Sequence, residues 1–254
     1  MRAPVAAPAF RVSAMRANEN RSSRSWAQSR AQSRARSRAW SRPAALVAAL
    51  AVLTFAAPAL GNGVGAVPSL FGTVEVRSPA IQNFPKWTAV LDRMADERTV
   101  AEQPCTPSFF TRCNLEEWRA LMQELRGRPP LEQIEAINDF MNRVSYITDP
   151  ANYNMPDYWA TPRQHLTRRG DCEDYAIAKY VSLRALGFPE ESLRILVLDD
   201  LNLRIPHAVL VVILDGRALL LDNQIRSVVE ERAVRHYRPI YSINATAFWI
   251  HRSQ

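Results

Sequence analysis

The stretch GDCEDYAIAKYVSLRALG, residues 170 to 187, marks where the chain changes from helical to strand periodicity. Gly170 lets the chain turn, Asp171 stands where a helix N-cap is expected, and Gly187 stands where such a helix would end, so the spacing predicts one helix between them. Cys172 then falls in its first turn, where free backbone N–H groups and the positive helix end favour an anion. Its neighbours oppose this. Asp171, Glu173 and Asp174 flank the thiol, and nearby negative charge disfavours the thiolate through which a cysteine reacts.

Working outward, KWTAVLDRMADER (86–98), LEEWRALMQELR (115–126) and PLEQIEAINDFMNRV (130–144) each repeat apolar residues at three and four, with Pro129 and Pro130 setting the start of the third helix. GTVEVRS (72–78) alternates and reads as a short strand. YITDPANYNMPDYWATP (146–162) reads as a long Pro/Asn/Asp loop, of a length that is either disordered or functional. Beyond the cysteine helix, LRILVL (193–198), HAVLVVIL (207–214) and RALLLD (217–222) are strand-like runs, the last two joined by Asp215-Gly216, a strong hairpin signal. RPIYSI (238–243) and AFWIH (247–251) are expected to add two more strands. Helices first and antiparallel strands afterwards indicate a single α+β domain.

The net charge of +7 invites a nucleic-acid reading, but its distribution argues against one. Of the 32 basic and 25 acidic residues, ten and one precede Leu60, leaving 22 and 24 in the body of the chain. The excess sits in a Ser/Arg/Ala-rich stretch followed by AALVAALAVLTFAAPA (44–59). A basic segment, an apolar run too short to favour a spanning helix and a small-residue ending read as a secretory signal, with cleavage expected after Ala59. An uncleaved N-terminal anchor is the rival reading. Residues 60–254 are then one domain with enough chain for a proper core, and a nucleic-acid partner is not expected.

An exported chain is one in which disulfides persist, and Cys105 and Cys113 lie eight apart in PCTPSFFTRCN. A disulfide is the expectation there, with two free thiols or half of a metal site as alternatives. Cys172 is left as the odd thiol and is flagged as reactive.

His207 begins one strand, and Asp222 ends the strand paired with it through the Asp215-Gly216 turn, so the far ends of that hairpin bring the two together. Cysteine at a helix start, histidine at a strand start and an acid on the next strand supply nucleophile, base and orienter. Taken separately, each residue has a plain structural role: small core thiol, packed histidine, turn-side cap. Trp159 and Asn223 are candidate wall residues, while His165, His236 and His251 read as surface or packing residues.

The segments GDCEDYAIAKYVSLRALGFP, LRILVLDDLN, HAVLVV and LLLDN, with C…CNLEEW upstream, resemble the bacterial transglutaminase-like cysteine peptidases, from about Cys105 to Asn223. That family includes periplasmic proteases that cleave surface adhesins. The resemblance implies a papain-like, transglutaminase-like fold and a triad falling on Cys172, His207 and Asp222. It also implies bound calcium at acids flanking the nucleophile, which match Asp171, Glu173 and Asp174. Ca2+ takes six to eight oxygen ligands, so these side chains supply only part of a shell, with Asp199 or Asp200 as further candidates. The function expected from the resemblance is a periplasmic, calcium-dependent cysteine endopeptidase that processes a protein substrate, a large surface adhesin in biofilm control, under an inner-membrane regulatory receptor. The same triad also serves acyl transfer to amines, as in transglutaminases and cell-wall amidases, and a non-catalytic binding module is the third class.

Overall fold

The structure, a computed structural model, describes residues 69–99, 104–108 and 113–253; the expected signal segment, 1–59, lies outside them. In chain order the elements are β1 (Val74–Ser78), α1 (Pro85–Glu97), α2 (Asn114–Glu124), α3 (Pro130–Met141), α4 (Asp149–Asn152), α5 (Pro162–Arg168), α6 (Cys172–Ala185), β2 (Leu193–Asp200), β3 (Ile205–Leu214), β4 (Arg217–Leu221), β5 (Val229–Glu230), β6 (Tyr237–Ile243) and β7 (Phe248–Arg252). Among the described residues no helix is long and apolar enough to cross a membrane.

The strands form one antiparallel sheet in the order β1-β7-β6-β2-β3-β4-β5. The runs at 193–198 and 207–214 are almost continuously apolar because both faces of the sheet are covered. Leu210, Val212, Leu219 and Leu221 pack with the helices on one face. Val209, Val211, Ala218 and Leu220 pack on the other with Leu70, Val234 and Tyr237. Period two along each strand divides the apolar residues between these two cores. The β3–β4 turn has Asp215 at φ +51° and Gly216 at φ +73°, the two left-handed conformations a two-residue hairpin of this twist requires.

Helix α6 packs on β3, β2, α3 and α5, and the left-handed Gly187, φ +100°, follows it as its spacing predicts. Asp171 occupies the N-cap position but makes no side-chain cap, because its carboxylate is engaged elsewhere. The stretch 146–162 is not one loop. Asp149-Pro150 starts the short α4, and Thr161 starts α5 in a reciprocal cap with Gln164, the Gln164 N–H donating to Thr161 Oγ1 at 3.2 Å. Pro at the first helical positions favours helix starts within a sequence whose composition reads as loop.

Cys105 and Cys113 form a disulfide, with Cα atoms 5.7 Å apart. The Cys105 N–H donates to Glu116 Oε1 at 3.2 Å, which ties the bridged segment to α2. Cys105→Ser/Cys113→Ser is expected to lose roughly 2 to 3 kcal/mol of stability, read as a lower urea midpoint; an unchanged midpoint would remove the bridge from the stability account.

His165 is fully buried, packed edge-on to Tyr175 at 4.5 Å, with neither ring nitrogen partnered among the described residues. Burial first, then the Lys179 charge, push its pKa down to about 3. Below about pH 6.5 the unfolded chain therefore takes up a proton that the folded chain refuses, so this group's contribution falls as pH drops from 6.5 toward 3. Relative to His165→Leu, the wild type should lose stability on acidification by up to about 1.4 kcal/mol per pH unit. Urea midpoints of both proteins from pH 7 to pH 5 test this, and a constant gap between them contradicts it.

Candidate active site

A cleft of about 490 Å³ opens where the N-terminus of α6 meets the start of β3. Cys172, His207, Asp171, Glu173, Trp159 and Tyr241 are among its lining residues. The first residue of α6 presents the thiol here, and Gly170, two residues before it, allows the close approach that the turn demands. A methyl group at Gly170 would collide with the Asp174 carboxylate.

On the sheet side, Leu210 pairs with Leu221, so the strands run on toward the open end of the hairpin, where His207 and Asp222 stand. His207 Nε2 lies 3.0 Å from Asp222 Oδ1. Asp222 Oδ1 also accepts from the Gln224 backbone N–H at 2.8 Å, and Oδ2 accepts from the Tyr237 hydroxyl at 2.6 Å. Burial alone would raise the Asp222 pKa, but these donors outweigh it and hold the carboxyl below its usual range. An ionised Asp222 only accepts, so His207 Nε2 carries the proton and Nδ1 is the free base. The Gln224 side-chain amide lies 3.4 Å from Nδ1, consistent with that tautomer.

The thiol sits in a different field. Cys172 Sγ–H donates to Glu173 Oε2 at 3.1 Å. Burial first, then Glu173 and Asp171, push its pKa far above the ordinary thiol value, while a backbone hydrogen bond with Ala208 pulls the other way.

Behind the thiol, carboxylates converge from two segments. Oxygens of Asp149, Asp171 and Asp174 come within 4.8 Å of one another, and those of Asp149, Asp157 and Glu173 form a second such group. Asp149 Oδ2 accepts from the Tyr158 N–H, Asp171 Oδ2 from the Asp149 N–H at 3.3 Å, and Asp174 Oδ1 from the Ala160 N–H at 2.6 Å. The other oxygen of each is buried with no partner among the described residues. Burial is the first cause, and mutual repulsion adds to it, in pushing Asp149 up to about 6, Asp171 to about 7 and Asp174 to about 9. Three carboxylates with oxygens this close together, each with one buried unpartnered oxygen, fit a hard divalent cation, which takes oxygen ligands and offsets the like-charge repulsion.

Of the acids read from the sequence, Asp171 and Asp174 thus meet directly, while Glu173 holds the thiol proton and groups with Asp149 and Asp157. Asp149 and Asp157 carry no distinguishing sequence signal of their own; they lie in the acidic, Pro-punctuated segment 146–162, whose length reads as either disordered or functional. Asp199 and Asp200 are elsewhere: Asp199 pairs with Arg238 at 2.7 Å, and Asp200 Oδ1 accepts from the Asn202 and Leu203 N–H groups in the β2–β3 turn. Trp159 lines the cleft, whereas Asn223 lies outside its lining. His251 packs between Thr73 and Ser242, and His236 stacks edge-on against Tyr237.

A helix-borne cysteine over an antiparallel sheet that carries a histidine and its acid defines the class of papain-like α+β cysteine peptidases. Within that class, the family model of the bacterial transglutaminase-like cysteine proteinase BTLCP matches residues 105–252, and the chain belongs to that family. The match continues past Asn223, where the recognisable sequence motifs stop, to the last strand. Among solved structures, Legionella pneumophila LapG is 31% identical, with a TM-score of 0.51 over 63% of this chain and 87% of that one. Its EGTA-treated form gives 30% identity and a TM-score of 0.52 over 65% and 86%. Its calcium-bound form gives 31% and 0.51 over 63% and 87%. No curated protein matches the sequence significantly.

Gly170→Ala is expected to drive Asp174 out of the acidic cluster and to destabilise the fold by about 1 to 3 kcal/mol, the usual cost of overpacking. Thermal unfolding measures it, and a variant as stable as the wild type would mean that the carboxylate moves freely.

Proposed function

We propose that this chain is an exported, calcium-dependent cysteine endopeptidase in which Cys172 is the nucleophile, His207 the general base and Asp222 its orienter. The observation that carries the reading is that the thiol and the imidazole line one cleft, with Asp222 bonded to the far nitrogen of the ring. His207 Nδ1 takes the Cys172 proton, and Sγ attacks the carbonyl carbon of the scissile peptide. The carbonyl oxygen becomes an oxyanion facing the N-terminus of α6, where the Cys172 N–H has no acceptor within the helix. The protonated His207 then gives its proton to the leaving amine, and the C–N bond breaks to leave a thioester. Water, deprotonated by His207, attacks the thioester, releasing the carboxylate product and the free thiol. Asp222 holds the ring in one tautomer throughout and stabilises the imidazolium.

Asp149, Asp171 and Asp174, with Glu173 beside them, are the residues that would hold Ca2+. When bound, the ion supplies positive charge next to a thiol that the carboxylates otherwise keep protonated. The calcium-bound form of LapG supports this choice of metal. Residues 44–59 support export across the inner membrane, and hence a periplasmic location. The resemblance to adhesin-processing proteases supports a large surface adhesin as the protein substrate and an inner-membrane receptor as the regulator.

Peptide-library hydrolysis by the purified chain tests the proposal. Cys172→Ala should lower turnover by at least about 10³-fold, and removal of calcium with EGTA should abolish it until calcium is restored. Asp149→Asn should weaken calcium binding by about tenfold or more in isothermal titration. Activity that survives chelation would overturn the calcium assignment. Amide products in place of hydrolysis, when amine acceptors are present, would move the chain to the acyl-transfer class.

A further inference from the structure

Tyr237 lies sixteen residues beyond Leu221, the last residue of β4, on β6, and in the sheet β2 and β3 stand between β6 and β4. Its side chain nevertheless reaches Asp222. The ring is buried, with its centroid 5.8 Å from that of His207, and its hydroxyl donates to Asp222 Oδ2 at 2.6 Å. Asp222 therefore has each oxygen committed: Oδ2 to Tyr237, and Oδ1 to His207 Nε2 and the Gln224 N–H. A carboxylate with one oxygen free could rotate about its Cβ–Cγ bond and present either oxygen, or neither, to the imidazole. With Oδ2 held by a phenol fixed in the core, that rotation is closed.

We infer that Tyr237 is a positioning residue for the proposed triad: its hydroxyl fixes the Asp222 carboxylate and thereby keeps His207 protonated at Nε2, with Nδ1 presented to the cleft. Two features make the hydroxyl, and not only the ring, the acting part. The ring already belongs to the apolar core on its face of the sheet, so packing alone asks for Phe, yet the residue carries an O–H that ends on a charged acceptor. A hydrogen bond to an ionised acceptor is also stronger than one between neutral groups. The bond stabilises the ionised acid, as the lowered Asp222 pKa reflects, and Asp222 in turn shifts the Tyr237 phenol upward after the larger contribution of burial. The other charged groups facing this assembly are Lys179 from α6, fully buried and acting on Asp222, and Asp200 from β2, acting on Tyr237. Lys179 favours the ionised acid in the same sense as Tyr237, and no hydrogen bond from its Nζ is made to any described residue.

The role rests on the peptidase reading for its consequence in turnover, but not for its effect on the ring. Tyr237→Phe keeps the packed ring and removes only the donor. In the Cys172→Ala background, which needs no activity, long-range nitrogen–proton correlation spectra of the neutral His207 ring should show a single Nε2–H tautomer, and Tyr237→Phe should add a measurable Nδ1–H fraction. In the active protein with calcium, Tyr237→Phe should lower kcat by about tenfold with KM unchanged, because the lost bond acts on the reacting geometry and not on substrate binding. Tyr237→Leu, which loses ring and hydroxyl together, should fall further in thermal stability while Tyr237→Phe stays close to the wild type. An unmoved tautomer overturns the inference, whether or not turnover falls, because a fall without it would come from packing. The expected tautomer shift on Tyr237→Phe, together with a wild-type protein that hydrolyses no peptide, would leave the positioning role standing and overturn the peptidase reading instead.

Discussion

Like charges buried together at the first turn of α6 are the constraint on which the functional end of this molecule depends. Asp149, Asp171 and Asp174 each give one oxygen to a backbone N–H and leave the other buried without a partner among the described residues. Burial and mutual repulsion raise all three pKa values, so the cluster either holds protons or calls for a cation. The same carboxylates border the thiol, and Glu173 accepts its S–H hydrogen bond. Charge balance behind the helix and thiol reactivity in front of it are therefore one electrostatic problem, and the segment 146–162 is folded back over α6 to supply the acids that take part in it.

The sheet solves the complementary problem of positioning the proposed base, His207. A two-residue turn with two left-handed residues sets the register of β3 against β4, and this register carries His207 and Asp222 to the same open end. Beyond the ladder their geometry is held by side chains and not by strand pairing: the Gln224 N–H and the Tyr237 hydroxyl occupy the carboxylate from two further directions. The rigid part of the fold lies under the imidazole, while the titratable part lies around the thiol. A buried, bilaterally packed sheet can hold a hydrogen-bonded acid with little freedom, whereas a helix terminus rimmed by carboxylates responds to whatever charge is near it.

Periodicity located most of this architecture. The helices at 86–98, 115–126 and 130–144 and the five strands expected from residue 193 onward appear within a few residues of their expected ends, because each has an apolar pattern of its own; the two-residue β5 has none and is not among those expected. The failure at 146–162 has a definite cause. Its Pro, Asn and Asp residues read as loop, yet Asp-Pro and Thr-Pro open the two short helices α4 and α5, neither of which carries an apolar repeat of its own, and only α5 has a side-chain cap. Asp149 went unnoticed for the same reason: nothing local separates a turn aspartate from one whose carboxylate points into a buried cluster.

The chemistry available can be read along the chain: one odd cysteine at a helix start, a histidine and an acid set by a hairpin, and acids next to the thiol. These are local facts, carried by spacing along an element or by a turn of defined geometry. Which acids share a site, and what holds Asp222, followed from the packing of separate elements. Asp149 reaches α6 across 22 residues of chain and Tyr237 reaches Asp222 across two strands of the sheet. Contacts of that kind depend on how separate elements pack, and a single sequence carries no local pattern that records them.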